Sequence, residues 1–146
     1  NLLKIKLDNA NILDLYSGTG SFGIECISRG AKKVTFIEKD SQAIKILNKN
    51  LASFSIEEKA LMINDKNENY LNINKKDKFD IIFLDPPFAD NKFINEIKLI
   101  KKNKIYSKNH LIIIHRESKS YDDLSGILKP LIVKKYSRSK IIFGKF

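Results

Sequence analysis

Asp85-Pro86-Pro87-Phe88 sets a carboxylate, two stiff rings and an aromatic side chain directly after the apolar run Phe79–Leu84. Proline is costly inside sheets and helices, so two in succession after a buried strand fix a loop of defined shape. Asp85 is an acceptor there, and Pro86 and Pro87 contribute carbonyls with no competing N–H. Such a loop suits holding a planar amino group in front of an electrophile. The plain alternative is a strand-ending turn with a solvated Asp.

A second constellation lies upstream. The apolar segment Asn11–Tyr16 runs into Ser17-Gly18-Thr19-Gly20-Ser21-Phe22-Gly23, which contains G-x-G-x-x-G. A helical pattern with Phe22, Ile24, Cys26 and Ile27 follows, and then a strand-like run, Lys33–Glu38. Glu38 comes 20 residues after Gly18, the spacing at which an acid meets ribose hydroxyls in a strand–helix–strand nucleoside site. The glycines allow close backbone approach, and a helix N-terminus favours negative charge. NAD-type sites spend that N-terminus on pyrophosphate. S-adenosylmethionine has no phosphate, but its carboxylate can use the same donors and its ammonium wants an acid such as Asp14. A hydride-transfer enzyme has no evident use for the Asp-Pro-Pro-Phe loop, so methyl transfer is the better reading.

Around these residues, strand and helix patterns alternate, which argues for an α/β, doubly wound parallel sheet. Strands are expected at 11–16, 33–38, 60–64, 79–84, 110–115, 130–136 and 140–144. Helices are expected at 21–29, 41–53, 91–102 and 121–128, with Ser41 capping the second. Ser137-Arg138-Ser139 is too short for a parallel crossover, so the last two strands form an antiparallel hairpin. Asp14, Glu38 and Asp85 then all fall near strand carboxyl ends, where such sheets bind ligands.

With 146 residues, the chain is one domain, 1–146, large enough for a sheet with helices on both faces. No apolar run reaches the roughly 20 residues a membrane helix needs. The lone Cys26 fits a reducing cytoplasm and reads as core. Scattered Cys and His give no metal-ligand spacing. His115 ends a strand and reads as structural or surface rather than catalytic. A net charge of +10 suits a polyanionic partner, although richness in Lys, Asn and Ile together can also reflect genome composition. Candidate patches are Lys98, Lys101, Lys102 and Lys104, and then Lys134, Lys135, Arg138 and Lys140. The first group also reads as the solvated face of a helix.

Asp14-Leu15-Tyr16-Ser17-Gly18-Thr19-Gly20, then Phe36-Ile37-Glu38-Lys39-Asp40, then Asp85-Pro86-Pro87-Phe88 resemble the motifs of class I S-adenosylmethionine-dependent methyltransferases. More narrowly, they resemble the RsmD-like family, which methylates guanine N2 in bacterial 16S ribosomal RNA. The resemblance runs in order along nearly the whole chain. It implies a Rossmann-like methyltransferase fold, a mostly parallel seven-stranded sheet ending in an antiparallel hairpin. It also implies S-adenosylmethionine as cofactor, held by Asp14, Tyr16, Ser17, Gly18, Gly20, Gly23, Glu38 and Lys39. Asp85, Pro86, Pro87 and Phe88 would act on the acceptor, and no metal is expected. The implied partner is ribosomal RNA or a partly assembled small subunit, met by a cytoplasmic monomer. Family members carry an N-terminal stretch with a helix before the first strand, so Asn1–Ile5 is expected to be the end of that helix. The family's adenine-binding acid would fall on Lys66 by register with Tyr70-Leu71, leaving Asp65 one place early as the candidate.

On this reading, Asp85 and the Pro86 carbonyl accept hydrogen bonds from the guanine amino group and localise its lone pair, while Phe88 stacks on the base. Two alternatives stand beside it. One is an amino methyltransferase acting on DNA adenine or cytosine, or on a protein glutamine amide. The other is a non-catalytic RNA-binding module of the same fold.

Overall fold

The computed structural model describes residues 7–73 and 76–146, so the helix end expected at Asn1–Ile5 lies outside the described residues. In chain order the elements are β1 (Asn11–Leu15), α1 (Ser21–Ser28), β2 (Lys33–Ile37), α2 (Ser41–Ser53), β3 (Ala60–Ile63), α3 (Asn67–Ile73), β4 (Phe79–Leu84), α4 (Phe93–Lys102), β5 (Tyr106–Glu117), β6 (Lys129–Lys135) and β7 (Ser139–Lys145). A 3-10 turn, Glu57–Lys59, precedes β3.

The seven strands form one sheet in the order β3-β2-β1-β4-β5-β7-β6. The first five pair in parallel, while β7 runs antiparallel to both β5 and β6. The chain reverses its direction of travel across the sheet between β1 and β4, and this switch point is where a doubly wound sheet opens a crevice.

Covered on both faces, the central strands are mostly apolar rather than alternating. The strand period of two still sorts their side chains. Ile12, Phe36, Ile81, Phe83 and Ile113 pack with Cys26 and Ile27 of α1 and Leu47 and Leu51 of α2. Leu13, Ile82, Leu84, Ile112 and Ile114 pack with Phe93, Ile97 and Ile100 of α4. Fully burying a side chain of this size stabilises by about 1.5–3 kcal/mol relative to leaving it exposed.

Four expectations need correction. Asp40, not Ser41, caps α2, its carboxylate accepting from the Gln42 amide at 2.9 Å. No helix forms over 121–128, which holds only a turn at 125–127. Asp122 is drawn to Arg116 and Asp123 accepts from the Ser125 amide and hydroxyl, so local side-chain bonds displace the helical ladder. Finally, α3 forms over a stretch where no helix was expected, and β5 begins at Tyr106 rather than at His110.

Candidate functional site

The glycine turn joins β1 to α1. Gly18 has φ +55°, and a Cβ there would meet nothing within 4 Å, so its backbone faces open space. Gly23 does the opposite: a Cβ would lie 2.3 Å from the Phe36 ring, so only a hydrogen lets α1 pack against β2. Glu38 ties the turn to the next strand. Its Oε1 accepts from the Gly18 amide at 2.8 Å, and its Oε2 accepts from the Asp40 amide at 2.9 Å. Each oxygen keeps a lone pair for a further donor, which is what two ribose hydroxyls require. The 20-residue spacing therefore corresponds to a direct contact across the turn.

Asp14 is buried near the end of β1. Its Oδ2 accepts from the Gly23 amide at 3.2 Å, while its Oδ1 is buried without a partner. Burial pushes this carboxyl up to about 8; the Gly23 hydrogen bond opposes that, and the Asp85 and Glu38 carboxylates add to it. A buried, half-satisfied carboxylate beside two other acids is suited to a cation. With the open space at Gly18 and the free lone pairs on Glu38, the residues fit an aminoacyl nucleoside such as S-adenosylmethionine.

A cavity of about 230 Å³ lies beside this turn, bounded by the end of β2, α3 and the start of α4. It gathers Tyr16, Glu38, Lys39 and Asp65 of the expected set. Asp14, Ser17, Gly18, Gly20 and Gly23 build the adjoining turn rather than line the cavity. Asp65 is partly committed elsewhere: its Oδ1 accepts from the Lys66 amide and from Asn69 Nδ2, both at 2.7 Å, at the start of α3. Those bonds, the Asn69 one first, hold its carboxyl below the usual range.

Two cavity residues have no counterpart in the sequence reading. Asn67 of α3 approaches both Glu96 carboxylate oxygens at 3.4 Å, and the Tyr16 hydroxyl bonds to Glu96 and Asn67. Burial pushes Glu96 up to about 7, partly offset by the bonds from Tyr16 and Asn67. Burial and the Glu96 bond also raise the Tyr16 hydroxyl, while the Asn67 bond opposes them. A signal was present: Glu96 falls among Phe93, Ile97 and Ile100 on the buried face of α4, where an acid is out of pattern.

Asp85 follows β4 and opens onto a different cavity, of about 680 Å³, on the α1 side of the sheet. Phe22, Phe83, His115 and Tyr136 are among its walls, and Phe22 stacks on Phe83 with ring centroids 3.9 Å apart. Pro86 is buried, whereas Asp85, Pro87 and Phe88 are exposed. The loop is held from the neighbouring strand. Arg116, 2% exposed, donates to the Pro87 carbonyl at 3.2 Å and the Phe88 carbonyl at 2.9 Å. The same guanidinium is paired with Asp122 at 2.9 Å and lies 4.5 Å from the Phe93 ring centroid. His115, expected to have a structural or surface role, touches the motif itself: its Nδ1 lies 2.8 Å from Asp85 Oδ1.

The two basic groups end up at opposite edges. Lys101 and Lys102 lie in the last turn of α4, and the chain just beyond it meets the start of β4 through Phe79 N–H donating to Ile105 O at 3.3 Å. The β6–β7 turn, in contrast, pairs Ser139 with Glu117 at the carboxyl end of β5, beside the Asp85 loop. Lys135 and Arg138 are exposed there, Lys140 donates to the Ser120 carbonyl at 2.6 Å, and the Lys134 ammonium lies 5.9 Å from the Phe143 ring centroid. Among the described residues, no His, Cys, Asp and Glu group is placed to hold a metal ion, and no helix is long and apolar enough to cross a membrane.

The profile of the family described as conserved hypothetical protein 95 matches residues 1–145. The ribosomal RNA small subunit methyltransferase D of Haemophilus influenzae is 37% identical over 119 residues, 80% of this chain and 62% of that protein. The protein of the same name from Buchnera aphidicola is 35% identical over 140 residues, 94% of this chain and 68% of that one. The chain thus spans roughly two thirds of these relatives' length. A solved Haemophilus influenzae structure described as a methylase superposes with a TM-score of 0.85 at 31% identity, covering 99% of this chain and 91% of the other.

Proposed function

The chain belongs to the family described as conserved hypothetical protein 95, and on that premise we propose that it is an S-adenosylmethionine-dependent methyltransferase acting on the exocyclic N2 amino group of a guanine in 16S ribosomal RNA. The observation that carries the proposal is Asp85. Its carboxylate stands exposed on a pinned loop, at the same sheet edge as Asp14, Glu38 and the glycine turn.

Asp14, Glu38 and the turn Ser17–Gly23 would hold the aminoacyl and ribose parts of S-adenosylmethionine. Tyr16, Lys39, Asp65, Asn67 and Glu96 would surround the adenine. When bound, this cofactor supplies a sulfonium methyl, so transfer exchanges a C–S bond for a C–N bond and leaves one proton to be shed from the nitrogen. The guanine amino group is a weak nucleophile because its lone pair is delocalised into the ring. Asp85 and the Pro86 carbonyl would accept from its two N–H groups and localise that lone pair. The carboxylate would then stabilise the cationic nitrogen as it forms and offer the proton a way out. Phe88, 42% exposed, is free to stack on a base that has left its helix. Because Asp85 lines the α1-side cavity and not the cofactor-side one, the acceptor would enter from the α1 side, past Tyr136 and the basic β6–β7 turn.

The names of the relatives support ribosomal RNA as substrate. Choice of guanine N2 rests on the Asp-Pro-Pro-Phe sequence: amino methyltransferases acting on DNA bases or glutamine amides more often have Asn first and Tyr last. We further propose that residues 1–146 work as one domain, as a monomer in the cytoplasm. Isothermal titration with S-adenosylmethionine and, separately, NAD tests the cofactor, with binding of the first alone expected. Methylation mapping of 16S ribosomal RNA from cells lacking the gene tests the substrate. A full complement of N2-methylguanines there would refute it.

A further inference from the structure

We propose that His115 is a positioning residue for Asp85, selecting which carboxylate oxygen meets the acceptor amino group. The inference rests on the reading of Asp85 given above.

Consecutive residues of β5 point to opposite faces, and both reach the Asp-Pro-Pro-Phe loop. Arg116, on the α4 face, takes the carbonyls of Pro87 and Phe88. His115, on the α1 face with Ile113, takes Asp85: Nδ1 stands 2.8 Å from Oδ1. Its ring also meets Phe88 edge-on, with centroids 5.6 Å apart. One imidazole therefore touches both the carboxylate and the aromatic end of the motif.

Arg116 fixes the backbone of the loop but leaves the Asp85 side chain free to turn. A carboxylate is an acceptor, so its partner nitrogen must carry the proton, and the Nδ1–H tautomer is selected. With Oδ1 engaged, Oδ2 is left to accept from the acceptor amine. The pair is 27% and 44% exposed at His115 and Asp85, so it contributes little to stability. Its value is orientation, which matters in the transition state.

The test has two readouts. Long-range proton–nitrogen NMR of the ligand-free chain should show His115 as the Nδ1–H tautomer, and Asp85→Ala should abolish that preference. Single-turnover methyl transfer to small ribosomal subunits from cells lacking the gene supplies the second. His115→Ala should slow the step about tenfold with unchanged KM for S-adenosylmethionine. His115→Asn should recover most of the rate, because its amide nitrogen sits where Nδ1 did. In an Asp85→Ala background, His115→Ala should cost nothing further. Losses that multiply, an unimpaired His115→Ala, or an Nε2–H tautomer in the wild type would overturn the positioning role and leave the proposed function standing. Wild-type transfer by Asp85→Ala alone would remove both.

Discussion

Replacing Glu96 with Gln should change stability in a way that depends on pH, and the size of the change can be worked out. Burial lifts the Glu96 carboxyl from its ordinary 4.5 to about 7. The folded chain therefore holds a proton that the unfolded chain releases. Below the unfolded value both forms are protonated and the group costs nothing. As pH rises from about 4.5 to 7, only the unfolded state ionises, so stability is lost across that window and then levels off. At about 1.4 kcal/mol per pH unit, the full loss is roughly 3 kcal/mol, most of it within that window. Glu96→Gln keeps an oxygen for the Tyr16 hydroxyl and the Asn67 amide but has no proton to lose. The variant should match the wild type near pH 4.5 and exceed it by about 2–3 kcal/mol at pH 8. Urea titrations at the two pH values measure this, and the double difference removes other titrating groups, Asp14 among them. A gain of equal size at both pH values would mean that Glu96 is not held protonated, and the reasoning would fail.

Three further outcomes are expected. Glu38→Ala should weaken S-adenosylmethionine binding by about 1.5–3 kcal/mol per charged hydrogen bond lost, and should also loosen the Gly18 turn; unchanged affinity by titration would remove Glu38 from the site. Affinity for ribosomal RNA should fall steeply with salt, and neutralising Lys134, Lys135, Arg138 or Lys140 should each reduce the log–log slope by roughly 0.7–0.9, whereas changes at Lys101 or Lys102 should not. Asp85→Ala should cut kcat on the order of 10²-fold or more with near-normal cofactor affinity, while Asp85→Asn should keep part of the activity, because its amide oxygen still accepts.

The sheet was legible because its signals are local and redundant. Continuous apolar runs mark strands buried on both faces, and the short Ser137-Arg138-Ser139 link dictates the hairpin. The helix expected over 121–128 failed because the partner of Asp122 is Arg116, which lies on another element. No periodicity reports such a bond. α3 escaped notice for a related reason. Asn67-Glu68-Asn69-Tyr70-Leu71-Asn72-Ile73 is short and poor in strong helix formers, and it is held by Asp65 at its start and by Leu71 in the core. In the candidate site, motifs with fixed spacing led to Asp14, Glu38 and Asp85. Asn67, Glu96, His115 and Arg116 belong to no spacing rule, since they reach the site through the packing of α3 and α4 and the order of the strands.

Those four residues also explain how one sheet edge can serve two ligands. β1 and β4 are neighbours, so the glycine turn and the Asp-Pro-Pro-Phe loop leave the sheet side by side. Glu96 and Asn67 close the cavity on the α4 face, where Tyr16 and Glu38 point. His115 belongs to the cavity on the α1 face, where Asp85 points. Arg116 spans the division, because its strand position faces α4 while its donors reach the loop carbonyls. A nucleoside on one side and a base on the other would then meet only at the line between β1 and β4. Asp14 and Asp85 stand at that line, and the Asp85 charge reaches the Asp14 carboxyl. A cationic cofactor settling beside them would offset the burial that disfavours the charged form of Asp14, so the gathering of three acids at one edge itself favours a positively charged ligand.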